Sequence, residues 1–501
     1  MPALPRPVTP PRALTDLLPR LGDATADDGV ADVVVTGVTH DSRAVQPGDL
    51  YAALPGSQTH GADFVVAAAA AGAVAVLTDR PGPHPLPAIV VAAPRRVLGA
   101  VAAWVYGDPS GSLAVIGVTG TNGKTTSVYL LEAALRAAGR TTGLIGTVET
   151  HVAGEVLASA HTTPEATDVQ ALLGLMRERG ATDVAMEVSS HGLALGRVDG
   201  VRYAAAVFTN LSQDHLDFHA DMDDYFAAKA KLFEPARSDV AVINIDDPAG
   251  ERLLHKTRCP VVTTSAAGDP RADWRAADVT VTAAATAFRV VGPGFARAVS
   301  LRLPGAYNVA NALGALAALV STGVDADHAL TGMEALPGVP GRVERVEAGQ
   351  EFLAVVDYAH TPDSVASVLN VMRPLTPGRL VVVLGCGGDR DRAKRPLMGA
   401  AAAAGADLVV VTSDNPRSED PLTIIDAVTA GARSVEGGQV EVEPDRARAI
   451  SAAVRDLAAG DTVIVAGKGH EQGQIFADRT TPFDDRAVLR AAIEARLAAA
   501  R

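Results

Sequence analysis

The sequence predicts an α/β protein, on three observations. Short apolar strand runs alternate with Ala- and Leu-rich helical stretches, the pattern of parallel sheets. One of those runs, AVIGVT at 114–119, opens through GTNGK into a helical stretch. The chain of 501 residues, 48% hydrophobic and 20% charged, is too long for one core and implies about three domains.

The elements follow in order. MPALPRPVTPPR is proline-rich and has no apolar h-region, so it is not a secretory signal, and residues 1–12 are expected to be a disordered tail. The first block, 13–109, contains VTHDSRAVQPGDLYAALPG, rich in turn residues. Its longest apolar stretch, Phe64 to Leu77, is mostly Ala and shorter than the roughly 18 residues of a membrane span. It reads as a helix running into the strand Val74 to Leu77, so no membrane insertion is expected. The second block, 110–340, runs through EVSSHG, FTNLSQDHLDFH and LPGAYNVANALGALAAL to a Pro- and Gly-rich boundary near ALPGVPGRVERV. The third, 341–501, has strand runs at Leu353 to Val356, Leu380 to Leu384, Leu408 to Val411 and Thr462 to Ala466. Each is followed by a polar or glycine-rich loop, where ligands of open α/β sheets bind.

Composition excludes some function classes. A formal charge of −14 disfavours a nucleic-acid partner but permits an anionic small molecule in a local basic pocket. Cys259 and Cys386 are far apart and form no CxxC pair, which points away from disulfides and zinc and suits a reducing cytoplasm. No short-period repeat is evident.

AVIGVTGTNGKTTSVYLLEAALRAAG reads strand, glycine-rich loop, helix, with Gly139 as its stop. Backbone N–H groups from Gly120, Thr121, Asn122, Gly123 and Lys124 can cradle phosphates at the helix N-terminus. Lys124 would neutralise them and Thr125 would hold Mg²⁺. A strict GxxxxGK[ST] match needs glycine at 118, where Val118 stands. Two more strand ends deliver Glu187, whose carboxylate suits Mg²⁺, and His215, which can ligate metal or bond phosphate. In DDYFAAKAKLF, helical spacing puts Tyr225, Lys229, Leu232 and Phe233 on one face, with Lys231 elsewhere. Lys229 among apolar groups is either a snorkelling lysine or an amine of lowered pKa able to take up CO₂ as a carbamate.

Further on, the run Leu408 to Val411 ends in TSDNPRSED. Asn-Pro is a common turn, and that alone accounts for the stretch. The other reading is a fork, Asp414 and Arg417, for a ligand bearing both an ammonium and a carboxylate.

Several ordered motifs resemble the Mur ligases of peptidoglycan precursor synthesis: GTNGKTT at 120–126, MEVSSHGL at 186–193, TNLSQDHLDFH at 209–219, AAKAKLF at 227–233 and DYAHTPDS at 357–364. DSR at 41–43, TTPE at 162–165, GCGGDRDRAKRP at 385–396, DNPR at 414–417 and GKGHE at 467–471 are most similar to the MurE type, which adds the third stem-peptide residue. The resemblance implies a three-domain Mur ligase architecture with a P-loop central ATPase domain and a Rossmann-like C-terminal domain. It also implies ATP-dependent addition of meso-diaminopimelate to UDP-MurNAc-L-Ala-D-Glu through an acyl phosphate. A soluble cytoplasmic monomer with two Mg²⁺ ions is expected.

By the same resemblance Thr125 holds one Mg²⁺, and Glu187, His215 and carbamylated Lys229 surround the other. Thr126, Asn308, Asn311, Arg342 and Asp357 join the loop in contacting ATP. Ser42, Ser57, Gln58 and Thr59 fall where the family binds the uridine nucleotide, and Thr162, Thr163, Ser189 and Arg197 where it binds the muramoyl dipeptide. Arg390, Asp414, Asn415, Pro416, Arg417, Gly467 and Glu471 would form the diaminopimelate pocket. ATP contacts on two domains make closure of the third a plausible gate. The chain departs from the family at His161, where relatives can have Asn, and at Leu195, where some carry Gln.

Four rivals, the first two of them Mur-like ligases, differ in what they require. A lysine-adding ligase would leave Arg417 without a carboxylate, and a folylpolyglutamate synthetase would not need a UDP-sugar block. A NAD-dependent oxidoreductase, prompted by LVVVLGCGGD, lacks GxGxxG spacing. A P-loop regulator would not need Lys124, Glu187, His215 and Lys229 together.

Overall fold

The computed structural model describes residues 5–56, 59–159 and 161–499. Among the described residues, three large sheets follow one another along the chain, with two two-stranded ribbons beside them. The first has five strands in the order Thr25–Ala26, Ala88–Val90, Ala75–Thr78, Asp49–Ala53, Gly37–Thr39, parallel except for the first. Ser42 and Thr59 stand in the loops that leave two of its parallel strands. Ser57 and Gln58 lie outside the described residues.

The expected tail needs correcting where it is described. Arg6 donates to both carboxylate oxygens of the buried Asp49, at 2.8 and 2.7 Å, and to the Ala44 carbonyl. The Val8 amide donates to Glu178, and Arg12–Ala13 pairs with Val34–Val35. A buried carboxylate needs a partner, and that need holds the proline-rich segment in place.

The central sheet has eleven strands, in the order Glu155–Ala158, Glu149–Val152, Thr142–Ile145, Asp183–Glu187, Ala114–Thr119, Ala205–Phe208, Ala241–Asn244, Val261–Ser265, Trp274–Val281, Thr286–Gly292, Phe295–Leu301. The seven strands from Thr142–Ile145 to Trp274–Val281 are parallel, and both edges are antiparallel. Ala114–Thr119 sits at the point where successive strands depart to opposite sides, the usual place for a ligand crevice. Register puts Glu187 beside Val118 and Phe208 beside Thr119, so three loops emerge together.

The third sheet has six strands, in the order Glu344–Arg345, Leu353–Asp357, Thr462–Ala466, Leu380–Leu384, Leu408–Val411, Val440–Val442. All but the first are parallel, and their carboxyl ends carry Asp357, Gly385, Asp414 and Gly467 to one rim. Val, Ile and Leu fill the strands because both faces are covered by packed side chains. Among the described residues, no helix is long and apolar enough to cross a membrane.

Candidate active site

Two clefts, of about 390 and 430 Å³, meet between the central and third sheets. The first is lined by the glycine loop from Thr121 to Thr126 and by Glu187, His215, Asn308, Asn311, Arg342 and Asp357. The second holds Thr163, Arg197, Arg390, Asp414, Asn415, Arg417, Gly467 and Glu471. Thr162, Ser189, Asp214, His215, Tyr358 and His360 line both and form the shared wall at which the clefts adjoin. Pro416 is buried beside the second cleft, while Ser42 and Thr59 lie outside both. His161 is on the second cleft; Leu195 is not.

The loop is shaped by its glycines. Gly123 has φ of 88°, and a Cβ there would lie 2.2 Å from Asn311 Oδ1, so only glycine lets that amide approach. Asn311 in turn donates to Asn308 Oδ1 at 3.1 Å, and Asn308 to the Pro304 carbonyl at 2.9 Å. Lys124 opens the helix Lys124–Ala137 and donates to the carbonyls of Gly120 and Thr121, at 3.0 and 2.9 Å.

Lys229 comes from behind. Its helix, Met222–Ala230, starts at Asp221, whose carboxylate accepts from the Asp224 amide at 2.8 Å. The side chain is 1% exposed, lies over the Tyr225 ring and donates to Gly120 O at 2.8 Å. Two amines therefore share one carbonyl oxygen. Burial, then the neighbouring Lys124, drives the Lys229 pKa well below its ordinary value, and burial lowers that of Lys124. Lys229 is buried rather than snorkelling.

Glu187 is buried at its strand end and accepts from Thr125 Oγ1 at 3.1 Å, Thr147 N at 2.8 Å and Thr147 Oγ1 at 3.1 Å. All three donors are neutral, and among the described residues no Lys or Arg pairs with this carboxylate. A buried anion beside a threonine hydroxyl is a donor set that suits a hard divalent cation. His215 has φ of 56°, which turns its ring into the cleft against His191, with centroids 4.7 Å apart. Burial takes its pKa down to about 3, so the ring is neutral and can act as an acceptor or ligand.

The third sheet reaches over through side chains. Arg342 donates to Thr125 Oγ1 at 2.8 Å, and Asn122 to Asp363 at 2.9 Å. Lys394 donates to Asp214 Oδ1 at 3.1 Å. Burial alone would raise the Asp214 pKa, but His360, His215 and Lys394 outweigh it and hold it well below the usual range. Asp357 accepts from the amides of Val343 and Ala359, each at 2.7 Å, and burial raises its pKa.

At the far end of the second cleft, Arg417 has φ of 52° and donates to the Gly388 carbonyl at 2.7 Å. Burial, then the nearby Arg390, lowers its pKa. Asp414, on the other side of Pro416, is buried. On the near side Thr163 Oγ1 donates to the Glu187 carbonyl at 3.0 Å, while Arg197 pairs with Glu165 at 3.0 Å.

The residues expected from the sequence thus gather around one pair of clefts, with Lys229 behind the loop and the first-block residues apart. Thr147, Asp214, Tyr358, His360 and Lys394 also line the clefts, with no sequence signal of their own. Asp214 directly precedes His215, and Lys394 stands inside GDRDRAKRP, so adjacency to a recognised motif was the available signal.

Family models match three stretches of the chain: "Mur ligase family, catalytic domain" at 34–103, "Mur ligase middle domain" at 118–319 and "Mur ligase, glutamate ligase domain" at 341–469. The chain belongs to the Mur ligase family. A protein of Streptomyces avermitilis named UDP-N-acetylmuramoyl-L-alanyl-D-glutamate–2,6-diaminopimelate ligase is 56% identical over 96% of each chain. A Corynebacterium glutamicum protein of the same name is 48% identical over 93% of each. A solved structure of a ligase of that name has a TM-score of 0.67 at 34% identity, covering 97% of this chain and all of its own. The α/β Mur ligase architecture of the fold follows from these matches and from the parallel sheets.

Proposed function

We propose that this Mur ligase uses ATP to join meso-diaminopimelate to the D-Glu side-chain carboxylate of UDP-MurNAc-L-Ala-D-Glu, releasing ADP and phosphate. The single observation that carries the reading is the shared wall: a phosphate loop on one side, an Asp414 and Arg417 pair on the other. Relatives of nearly full length bear the name of that ligase.

A carboxylate oxygen attacks the γ-phosphorus, the bond to the bridging oxygen of ADP breaks, and an acyl phosphate forms. The amine then attacks the acyl carbon, and the tetrahedral intermediate expels phosphate. The first step brings two anions together, so its barrier is electrostatic. The Lys124 ammonium turns from the Gly120 and Thr121 carbonyls to the γ-phosphate, with loop N–H groups beside it. Asn308, Asn311, Arg342 and Asp357 hold the nucleotide from the opposite side. Thr125, Glu187, His215 and a carbamate on Lys229 would hold two Mg²⁺ ions, whose chemistry here is to screen the approaching negative charges. The lowered pKa of Lys229 supports carbamate formation, because only a neutral amine attacks CO₂.

Thr162, Thr163, Ser189 and Arg197 orient the dipeptide so that its D-Glu side-chain carboxylate lies at the wall. Ser42, Ser57, Gln58 and Thr59 bind the uridine nucleotide. Arg417 forks onto the distal carboxylate of diaminopimelate and Asp414 meets the distal ammonium, with Arg390, Asn415, Pro416, Gly467 and Glu471 completing the pocket. We assign the chain to the cytoplasm as a monomer.

The test is phosphate release with UDP-MurNAc-L-Ala-D-Glu, comparing meso-diaminopimelate with L-lysine. Release that requires acceptor and amino acid together, at a kcat/KM at least about tenfold higher for diaminopimelate, is the expected result. Equal rates for the two amino acids reject the selectivity, and release without either rejects the ligase reading.

A further inference from the structure

Beneath the second cleft, in contact with three of its lining residues, lies a buried cation outside the roles assigned above. Lys468 follows the strand Thr462–Ala466 and is flanked by Gly467, φ 111°, and Gly469, φ 53°. A Cβ at Gly467 would come 2.7 Å from Asp414 Oδ2, and one at Gly469 would come 2.8 Å from Tyr358 Cβ. These glycines let the chain fold back tightly, so that the lysine side chain turns under the strand ends instead of into water. It is 0% exposed.

Its ammonium donates to Asn415 Oδ1 at 2.9 Å and to Glu471 Oε2 at 3.0 Å, and lies 3.6 Å from Asp414 Oδ1. Asn415 is fixed at both ends of its amide. Its Nδ2 donates to Glu471 Oε2 at 2.8 Å, and its Oδ1 also accepts from the Ile475 amide at 3.0 Å. One ammonium therefore ties three groups of the amino-acid pocket to one another.

We propose that Lys468 is a positioning residue that sets amino-acid selectivity, by holding Asn415 and Glu471 and cancelling one of the two negative charges on the acidic side of the pocket. The inference rests on the amino-acid reading of that cleft. Asp414 and Glu471 together present two carboxylates, whereas the distal end of diaminopimelate carries one ammonium and one carboxylate, for no net charge. The distal end of lysine carries an ammonium alone. Leaving out the Lys468 charge makes the pocket more negative by one unit, which favours the ligand that is more positive by one unit. Arg417 attracts the distal carboxylate, and Lys468 keeps the pocket from rewarding its loss.

The experiment compares wild type, Lys468→Gln, Lys468→Met and Lys468→Arg in steady-state phosphate release, with diaminopimelate and with lysine, and checks each variant by thermal unfolding. For the Gln and Met variants, KM for diaminopimelate is expected to rise about tenfold, KM for ATP to stay within about twofold, and the diaminopimelate-to-lysine ratio of kcat/KM to fall about tenfold. Lys468→Arg is expected to retain most of the ratio. Equal losses for both amino acids, or an ATP KM that rises in step, would reduce Lys468 to a packing residue and overturn the proposal. Should the Met variant not fold, an unchanged ratio in Lys468→Gln, or an Arg variant as unselective as Gln, overturns it equally. A wild type that does not use diaminopimelate at all would instead reject the underlying functional reading.

Discussion

The central sheet meets its two neighbours in different ways. Against the first sheet it shares a core: Ala166 and Ala171 of the helix Ala166–Glu178 are buried with Leu98, Val101, Ala102 and Trp104. Gly99 lies so close to the Asp199 carbonyl that a Cβ would come within 2.2 Å, and Arg177 donates to the carbonyls of Gly107 and Tyr106, each at 2.8 Å. Against the third sheet the ties described above, Arg342 to Thr125, Asn122 to Asp363 and Lys394 to Asp214, come from side chains that line the clefts. The first interface is a mount, built from groups remote from the chemistry. The second is built from side chains that line the clefts, so under the proposed function substrates compete for them and ligand binding is coupled to domain position there.

By the same contrast, substitutions in and behind the clefts change rates and substrate use, and substitutions on the first-sheet side change stability. The largest effect is expected for Lys229→Ala, with phosphate release falling about 10³-fold and recovering in part with high CO₂ and a short-chain carboxylic acid. Full activity without rescue would remove Lys229 from the catalytic set. Next comes Arg417→Ala, for which kcat/KM for diaminopimelate should fall about 10²-fold while KM for ATP stays put. An unchanged preference over lysine would leave DNPR as a turn and nothing more. Smallest on this scale is Arg6→Ala, which strands the Asp49 carboxylate and should cost about 2 kcal/mol in denaturant unfolding, with kcat nearly unchanged. A rate loss in that variant larger than its stability loss would erase the distinction between mount and working interface.

Local signals made much of the fold readable. Apolar runs announced the parallel strands, the glycine loop announced itself by its position between strand and helix, and i, i+4 spacing put Lys229 with Tyr225 on a buried face. The polar ties across domains were not readable, since nothing local marks them: Lys394 meets Asp214 across 180 positions of sequence. The Arg6 contact is hidden for a related reason. Proline-rich composition argues for disorder, and its partner Asp49 is 43 positions away. Lys468 stood inside the quoted GKGHE, but only the turn between two left-handed glycines reveals that its amine points inward.

The wall between the two clefts has a practical consequence. Because the two clefts share these lining residues, the proposed function implies that a single synthetic molecule straddles them with an adenine-like group at one end and a diamino-acid-like group at the other. Each half would raise the local concentration of the other by tethering, to about the millimolar range for a short flexible linker. Two weak inhibitors could in this way become one strong one, provided the linker threads past His215 and His360.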